Sequence, residues 1–192
     1  MDLVLSTRNP HKLREFNVLM SPHRVLPLPE EVELPPETGD TFEENALTKA
    51  RVAAEVTGKP AIADDSGISA YALGGRPGVY SARYAGPNAT DEENLTKLLD
   101  EVPDDGDRRV AYICALVYAE PGGETHAVEG RCEGTLAHEP RGDGGFGYDP
   151  AFVPADRDDG LTMSELSQED KDAISHRGRA ARELIAWLDG RP

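Results

Sequence analysis

Apolar and polar positions along this chain change period several times, and each change predicts an element. Leu3-Val4-Leu5 is a short unbroken apolar run, which reads as a buried strand emptying into Ser6-Thr7-Arg8-Asn9. Leu13, Phe16 and Met20 then recur at helical spacing, with Thr7 or Asn9 as N-cap and Pro10 just inside the helix. Val25 to Leu28 predicts a second strand, in a loop region marked by Pro27, Pro29, Pro35 and Pro36. Asp40-Thr41-Phe42-Glu43 resembles a capping box and opens an alanine-rich helix that Gly58 ends. Pro60 to Asp64 is a further apolar run, ending on acids.

Residues 74–88 hold Gly74, Gly75, Pro77, Gly78, Gly86 and Pro87, which predicts a long surface loop. Thr90-Asp91-Glu92-Glu93 caps a helix whose apolar side carries Leu95, Leu98 and Leu99. Two long β runs, Arg109–Ala119 and Glu124–Leu136, are joined by Pro121-Gly122-Gly123, a hairpin signal. A glycine-rich loop from Arg141 to Asp149 leads to Phe152-Val153. The chain closes with a helix that Lys171 to Arg177 opens and that carries Ala181, Leu184, Ile185 and Leu188. Strands and helices alternate near the start and a hairpin fills the middle, so the expected fold class is α/β with a mixed sheet. The hairpin can project as a separate lobe, leaving a cleft between lobes.

The chain has 192 residues, with 20 Lys+Arg against 36 Asp+Glu, a formal net charge of −16. Such a field repels polyanions and argues against nucleic acid or anionic membranes as general partners. A small anionic ligand remains open if cations cluster locally. The five lysines, Lys12, Lys49, Lys59, Lys97 and Lys171, are therefore informative positions. Cys114 and Cys132 both fall in predicted strands at a spacing that suits neither a redox pair nor a zinc site, and read as reduced, half-buried packing residues. The first residues are too few and too acidic for a secretory signal, and no apolar run approaches the ~20 residues of a membrane helix. A soluble, cytoplasmic protein is expected.

Five segments carry candidate chemistry. Ala63-Asp64-Asp65-Ser66-Gly67 lies where a strand is expected to end, the position at which open α/β sheets bind ligands. Adjacent acids there can hold a divalent cation and accept a proton from water, although Asp, Ser and Gly are also ordinary turn residues. Thr7-Arg8-Asn9-Pro10-His11-Lys12 joins a strand end to a helix N-terminus, whose amides and dipole suit phosphate. It lacks the glycines and the Gly-Lys-Ser/Thr of a Walker A loop. Asn45 and Lys49 share a helix face, so Lys49 can point toward the same anion. Arg141 to Asp149 contains four glycines with Phe146 and Tyr148, which can stack on a base; Lys171, His176 and Arg177 are donors able to meet a purine carbonyl. A phosphate cradle, a metal carboxylate, a stacking loop and keto-directed donors together describe a nucleotide site.

These strings, in this order, resemble the non-canonical purine nucleoside triphosphate pyrophosphatases of the inosine triphosphatase type. The resemblance runs nearly the full length. It rests on Ser6 to Lys12, Glu37-Thr38-Gly39, Thr41 to Ala46, Ala63 to Gly67, Leu73 to Arg83, Gly144 to Pro150 and Ser175 to Gly178. It implies one domain, 1–192, with an elongated mixed β-sheet and flanking helices in two lobes around a central cleft, usually as a homodimer. It implies Mg²⁺-dependent hydrolysis of ITP, dITP and XTP to the monophosphate and diphosphate. Thr7, Arg8, Asn9, Pro10, His11 and Lys12 would hold the phosphates with Lys49. Asp65 would be the proton acceptor and metal carboxylate, with Ser66 beside it on the substrate. Phe146, Gly147, Tyr148, Asp149, Lys171, His176 and Arg177 would surround the base. Many members carry a second acid just before the Glu-Thr-Gly string; here that position is Pro36, so the second metal carboxylate is Glu37 or, in competition, Asp64. A pyrophosphatase for other modified or pyrimidine nucleotides, and a nucleotide sensor that does not hydrolyse, are the rival readings.

Overall fold

A computed structural model describes residues 1–191. Six strands form one sheet in the order β2-β1-β3-β4-β5-β6: β1 is Asp2–Leu5, β2 Arg24–Pro27, β3 Ala61–Ala70, β4 Arg109–Ala119, β5 Thr125–Leu136 and β6 Phe152–Pro154. The helices are α1 (Pro10–Leu19), α2 (Phe42–Thr57), α3 (Asp91–Glu101), α4 (Gln168–Ile174) and α5 (His176–Asp189). β1 pairs in parallel with β2, Leu3 opposite Val25, and with β3, Val4 opposite Ala61. β5 and β6 pair antiparallel, Thr135 opposite Val153. The expected α/β class with a mixed sheet is therefore observed.

The chain folds as two compact units. The first comprises Met1–Asp65, Cys114–Gly130 and His176–Pro192. In it the period-2 alternation of β1 and β3 separates two apolar layers. Leu3, Leu5 and Ile62 pack with Phe16 of α1 and with Ala181 and Leu184 of α5. Val4, Ala61 and Ala63 pack instead with Ala46, Ala50, Ala53 and Ala54 of α2. Helices thus cover both sides of the parallel strands, as a parallel sheet requires. Alanine on α2 lets its backbone come close to the strands, and the helix is bounded by a Thr41–Glu44 capping box and by left-handed Gly58.

The second unit comprises Ser66–Ile113 and Arg131–Ser175. Its core gathers Ile68, Leu95, Leu98, Val110, Tyr112, Cys132, Leu136, Phe152 and Met163. Cys132 here, and Cys114 in the first unit, are fully buried rather than half-buried. Burial pushes the Cys114 thiol far above its usual range. No helix of the described residues is long and apolar enough to cross a membrane.

Three boundaries differ from the sequence expectation. β3 does not stop at Asp64 but continues through Ser66 and Gly67 to Ala70. These turn-forming residues are drawn into the strand by contacts distant in sequence: the Ile68 amide donates to Ser81 Oγ, and a Cβ at Gly67 would lie 2.3 Å from that oxygen. Within the expected 74–88 loop, Gly78–Arg83 forms a short 3₁₀ helix, fastened by Ser81. The expected closing helix is two helices, because Ser175 adopts an extended ψ of 156° between α4 and α5.

Candidate active site

Because β3 continues through both acids, Asp64 and Asp65 point to opposite sides of the sheet. Asp64 follows Ile62 toward α1 and α5. Its carboxylate is fully buried and lies 2.9 Å from Lys12 Nζ and 3.3 Å from Arg177 Nε. Arg177 Nη1 also reaches Glu15 Oε2 at 3.1 Å, so a chain of alternating charge runs from Lys12 through Asp64 and Arg177 to Glu15. Burial opposes the Asp64 charge, yet Lys12, Arg177 and Lys49 outweigh it and hold the carboxyl well below the usual carboxylate range.

Asp65 follows Ala63 toward α2. Its Oδ2 accepts from Asn45 Nδ2 at 2.9 Å, and its Oδ1 lies 4.0 Å from Lys49 Nζ. Asn45 and Lys49 stand one turn apart on the buried face of α2, as their spacing predicts. Lys49 Nζ donates to Glu37 Oε1 at 2.6 Å and to the Asp64 carbonyl at 2.8 Å. The helix is pinned at this point because Ser6 Oγ donates to the Lys49 carbonyl at 2.9 Å. Burial raises the Asp65 carboxyl above its ordinary value and the Glu37 charge adds to this, against the smaller opposing influences of Lys49 and Asn45. Burial works against the Lys49 ammonium, but Asp64, Asp65 and Glu37 together keep its pKa raised.

The structure therefore brings together Lys12, Lys49, Glu37, Asp65, Asp64 and Arg177 within the first unit. Sequence reasoning missed Glu15 and gave Asn45 no role. The available signal for Glu15 was a charged residue three after Lys12 and directly before core Phe16. Asp64 is spent on Lys12 and Arg177, which leaves Glu37 as the carboxylate that shares Lys49 with Asp65. Arg177, expected at a base, is engaged by the two carboxylates of Asp64 and Glu15; His176, also expected there, begins α5 as a buried residue.

At the start of α1, the expected open amides are already satisfied. Asn9 Oδ1 accepts from the His11 and Lys12 amides, Thr7 Oγ1 accepts from the Asn9 amide, and Pro10 has no N–H. His11 is exposed, with Nδ1 2.9 Å from Arg14. The guanidinium of Arg8, expected on phosphate, donates to the carbonyls of Leu28, Pro29, Glu30 and Val32 and ties down that loop.

Ser66, Phe146, Gly147, Tyr148, Asp149 and Lys171 belong to the second unit. Asp149 is buried and organises the glycine-rich loop: its Oδ2 accepts from Lys171 Nζ and from the Phe146 amide, both at 2.9 Å, and its Oδ1 from Tyr112 Oη at 3.0 Å. Lys171 Nζ lies 5.2 Å from the centre of the Phe146 ring. The Gly147 amide donates to Asp91, and Gly147 has φ +64°, a conformation favouring glycine. Tyr148 is buried and its hydroxyl donates to the Ser81 carbonyl, so of the two aromatics expected to stack on a base it serves the core. Half-buried Ser66 is the strand residue directly after Asp65.

Among the described residues no group of three or more His, Cys, Asp or Glu is arranged to hold a metal by itself. Glu37 and Asp65, meeting at one ammonium, form a two-carboxylate donor set. With all groups ionised, the cations Lys12, Lys49 and Arg177 face the carboxylates Glu15, Glu37, Asp64 and Asp65, a formal excess of one negative charge. That donor set and that charge fit Mg²⁺, which keeps several waters and binds through one or two carboxylates plus substrate phosphates.

A sequence model of the Ham1 family matches residues 3–187. A protein of Geobacter sulfurreducens named dITP/XTP pyrophosphatase is 50% identical over 195 residues, covering 96% of each chain. One of the same name from Bacillus subtilis is 45% identical, covering 98% of this chain and 97% of its own. A solved HAM1 protein of Coxiella burnetii superposes with a TM-score of 0.89 at 42% identity, over the whole of both chains. Agreement at this level over essentially the full length, in sequence and in three dimensions, means that the chain belongs to the Ham1 family.

Proposed function

We propose that this protein hydrolyses non-canonical purine nucleoside triphosphates, ITP, dITP and XTP, to the nucleoside monophosphate and diphosphate, with residues 1–192 acting as one functional domain. The observation that carries this reading is the junction of Asp65, Glu37 and Lys49 on one side of β3, backed by the Lys12–Asp64–Arg177–Glu15 chain on the other. The names of the relatives support the substrate class.

Glu37 and Asp65 would hold Mg²⁺, which when bound neutralises phosphate charge and polarises the phosphoryl group. Lys12 and Lys49 carry the charge that attracts the phosphate chain. Asn9 fixes the first turn of α1 and so the direction from which Lys12 leaves it. Asp65 takes the proton of the attacking water. Asp64 remains ionised between Lys12 and Arg177 and has no proton to exchange. On the second unit, Phe146 with Lys171 above its ring offers a surface for a base, with donors suited to a 6-carbonyl rather than a 6-amino group. A buried donor left without its acceptor costs about 1–3 kcal/mol, the basis for rejecting adenine. A cytoplasmic homodimer is proposed with the activity, from the family resemblance.

The test is diphosphate release from ITP, dITP and XTP with Mg²⁺, beside ATP, GTP, dUTP and dTTP. Release from the first three that EDTA abolishes is expected. Faster turnover of dUTP or dTTP would assign the site to pyrimidine nucleotides. Binding of ITP without diphosphate release would make the protein a sensor.

A further inference from the structure

We propose that Asn45 is a positioning residue, whose side-chain amide holds the Asp65 carboxylate and the Gly39 backbone together so that Asp65 and Glu37 both converge on Lys49. The inference rests on the reading of Asp65 and Glu37 as the reacting carboxylates, and it adds a residue to which that reading gives no role.

Asn45 is buried on the inner face of α2 and makes two hydrogen bonds of opposite polarity. Its Oδ1 accepts from the Gly39 amide at 2.8 Å, and its Nδ2 donates to Asp65 Oδ2 at 2.9 Å. The orientation is set by chemistry: a backbone N–H can only donate, so the oxygen must face Gly39 and the nitrogen must face Asp65. Asp65 thereby has one oxygen on Asn45 and the other beside Lys49. Gly39 lies so close that a Cβ there would sit 2.8 Å from Asn45 Oδ1 and 2.8 Å from Glu44 Cβ. Glu44 Oε2 accepts from the Asp40 amide at 2.8 Å, which fastens the same segment to the first turn of the helix. Two residues before Gly39, Glu37 meets Lys49 at 2.6 Å. One carboxamide thus joins a segment just before α2 to the middle of β3, the two places that supply the reacting carboxylates.

A residue that only anchors the 37–39 segment would use the Gly39 bond alone, and Asn45→Asp separates the two possibilities. The substitution keeps an oxygen for Gly39 but sets a carboxylate against Asp65. The expected result is a kcat for ITP lowered about 10- to 100-fold, the value of a hydrogen bond to a charged group, with KM within about threefold. The Gly39 amide should stay protected from hydrogen exchange in Asn45→Asp and lose protection in Asn45→Ala. A kcat for Asn45→Asp within about threefold of wild type would overturn the proposal, as would an effect on KM alone. Should Asn45→Ala fail to fold, the Asn45 side-chain protons supply a readout free of activity: they should exchange at least about tenfold faster in Asp65→Ala than in wild type. Equal exchange rates would overturn the proposal as well. If the wild-type protein released no diphosphate, the functional reading would fail, and the exchange measurement would still decide whether Asn45 holds Asp65.

Discussion

Adjacent acids on one strand should fail in different ways when neutralised. Asp64→Asn removes a buried carboxylate that sits 2.9 Å from Lys12 and 3.3 Å from Arg177. Removing one partner from a buried ion pair costs about 3–5 kcal/mol, because the remaining charges are left in a medium that solvates them poorly. For a chain of this length each kcal/mol shifts the melting temperature by about 2–4 °C, so a fall of about 6–20 °C is expected. Asp65→Asn removes a carboxylate whose ionisation burial already disfavours, so its effect on stability should stay within about 1 kcal/mol. Its turnover should fall by about 10²–10⁴-fold, the contribution of a general base, and further if a metal ligand is lost as well. Thermal unfolding and diphosphate release would be measured on both variants. Equal melting temperatures for Asp64→Asn and wild type, or near-normal turnover in Asp65→Asn, would refute the division of labour drawn from the strand's two faces.

Three further outcomes are expected. In EDTA, the stability difference between wild type and Asp64→Asn should be full above the ordinary Asp value of 3.8 and shrink as pH falls below it, since a carboxyl with a depressed folded pKa loses its contribution on protonation; denaturant unfolding from pH 2 to 6 checks this. Gly130→Ala should destabilise the first unit by about 1–3 kcal/mol or more, because the new Cβ would lie 1.9 Å from the His176 carbonyl oxygen and 2.6 Å from the Ala180 nitrogen, both backbone atoms that cannot swing away; calorimetry measures it. Tyr112→Phe removes the hydroxyl that donates to Asp149 at 3.0 Å and should cost about 1.5–3 kcal/mol, read by urea unfolding, with faster exchange at the Phe146 amide.

Local sequence determined most of the elements. Pro10 and Asn9 start α1, Thr41 and Glu44 cap α2, and the apolar runs of β1 and β4 mark strands, because capping and periodicity act within a few residues. The i, i+4 relation of Asn45 and Lys49 was legible for the same reason. What the sequence could not carry was the continuation of β3, since Asp-Asp-Ser-Gly has the local chemistry of a turn, whereas the pairing of β3 with its neighbouring strands and the bond from the Ile68 amide to Ser81, thirteen residues on, come from distant segments. That continuation sends Asp64 and Asp65 to opposite faces, the first onto Lys12 and Arg177 and the second onto Asn45 beside Lys49. The partners that make the difference, Lys12, Glu15 and Arg177 for one and Asn45, Lys49 and Glu37 for the other, reach the strand from segments up to 113 residues away, and burial charges only tertiary neighbours with satisfying an ionised group.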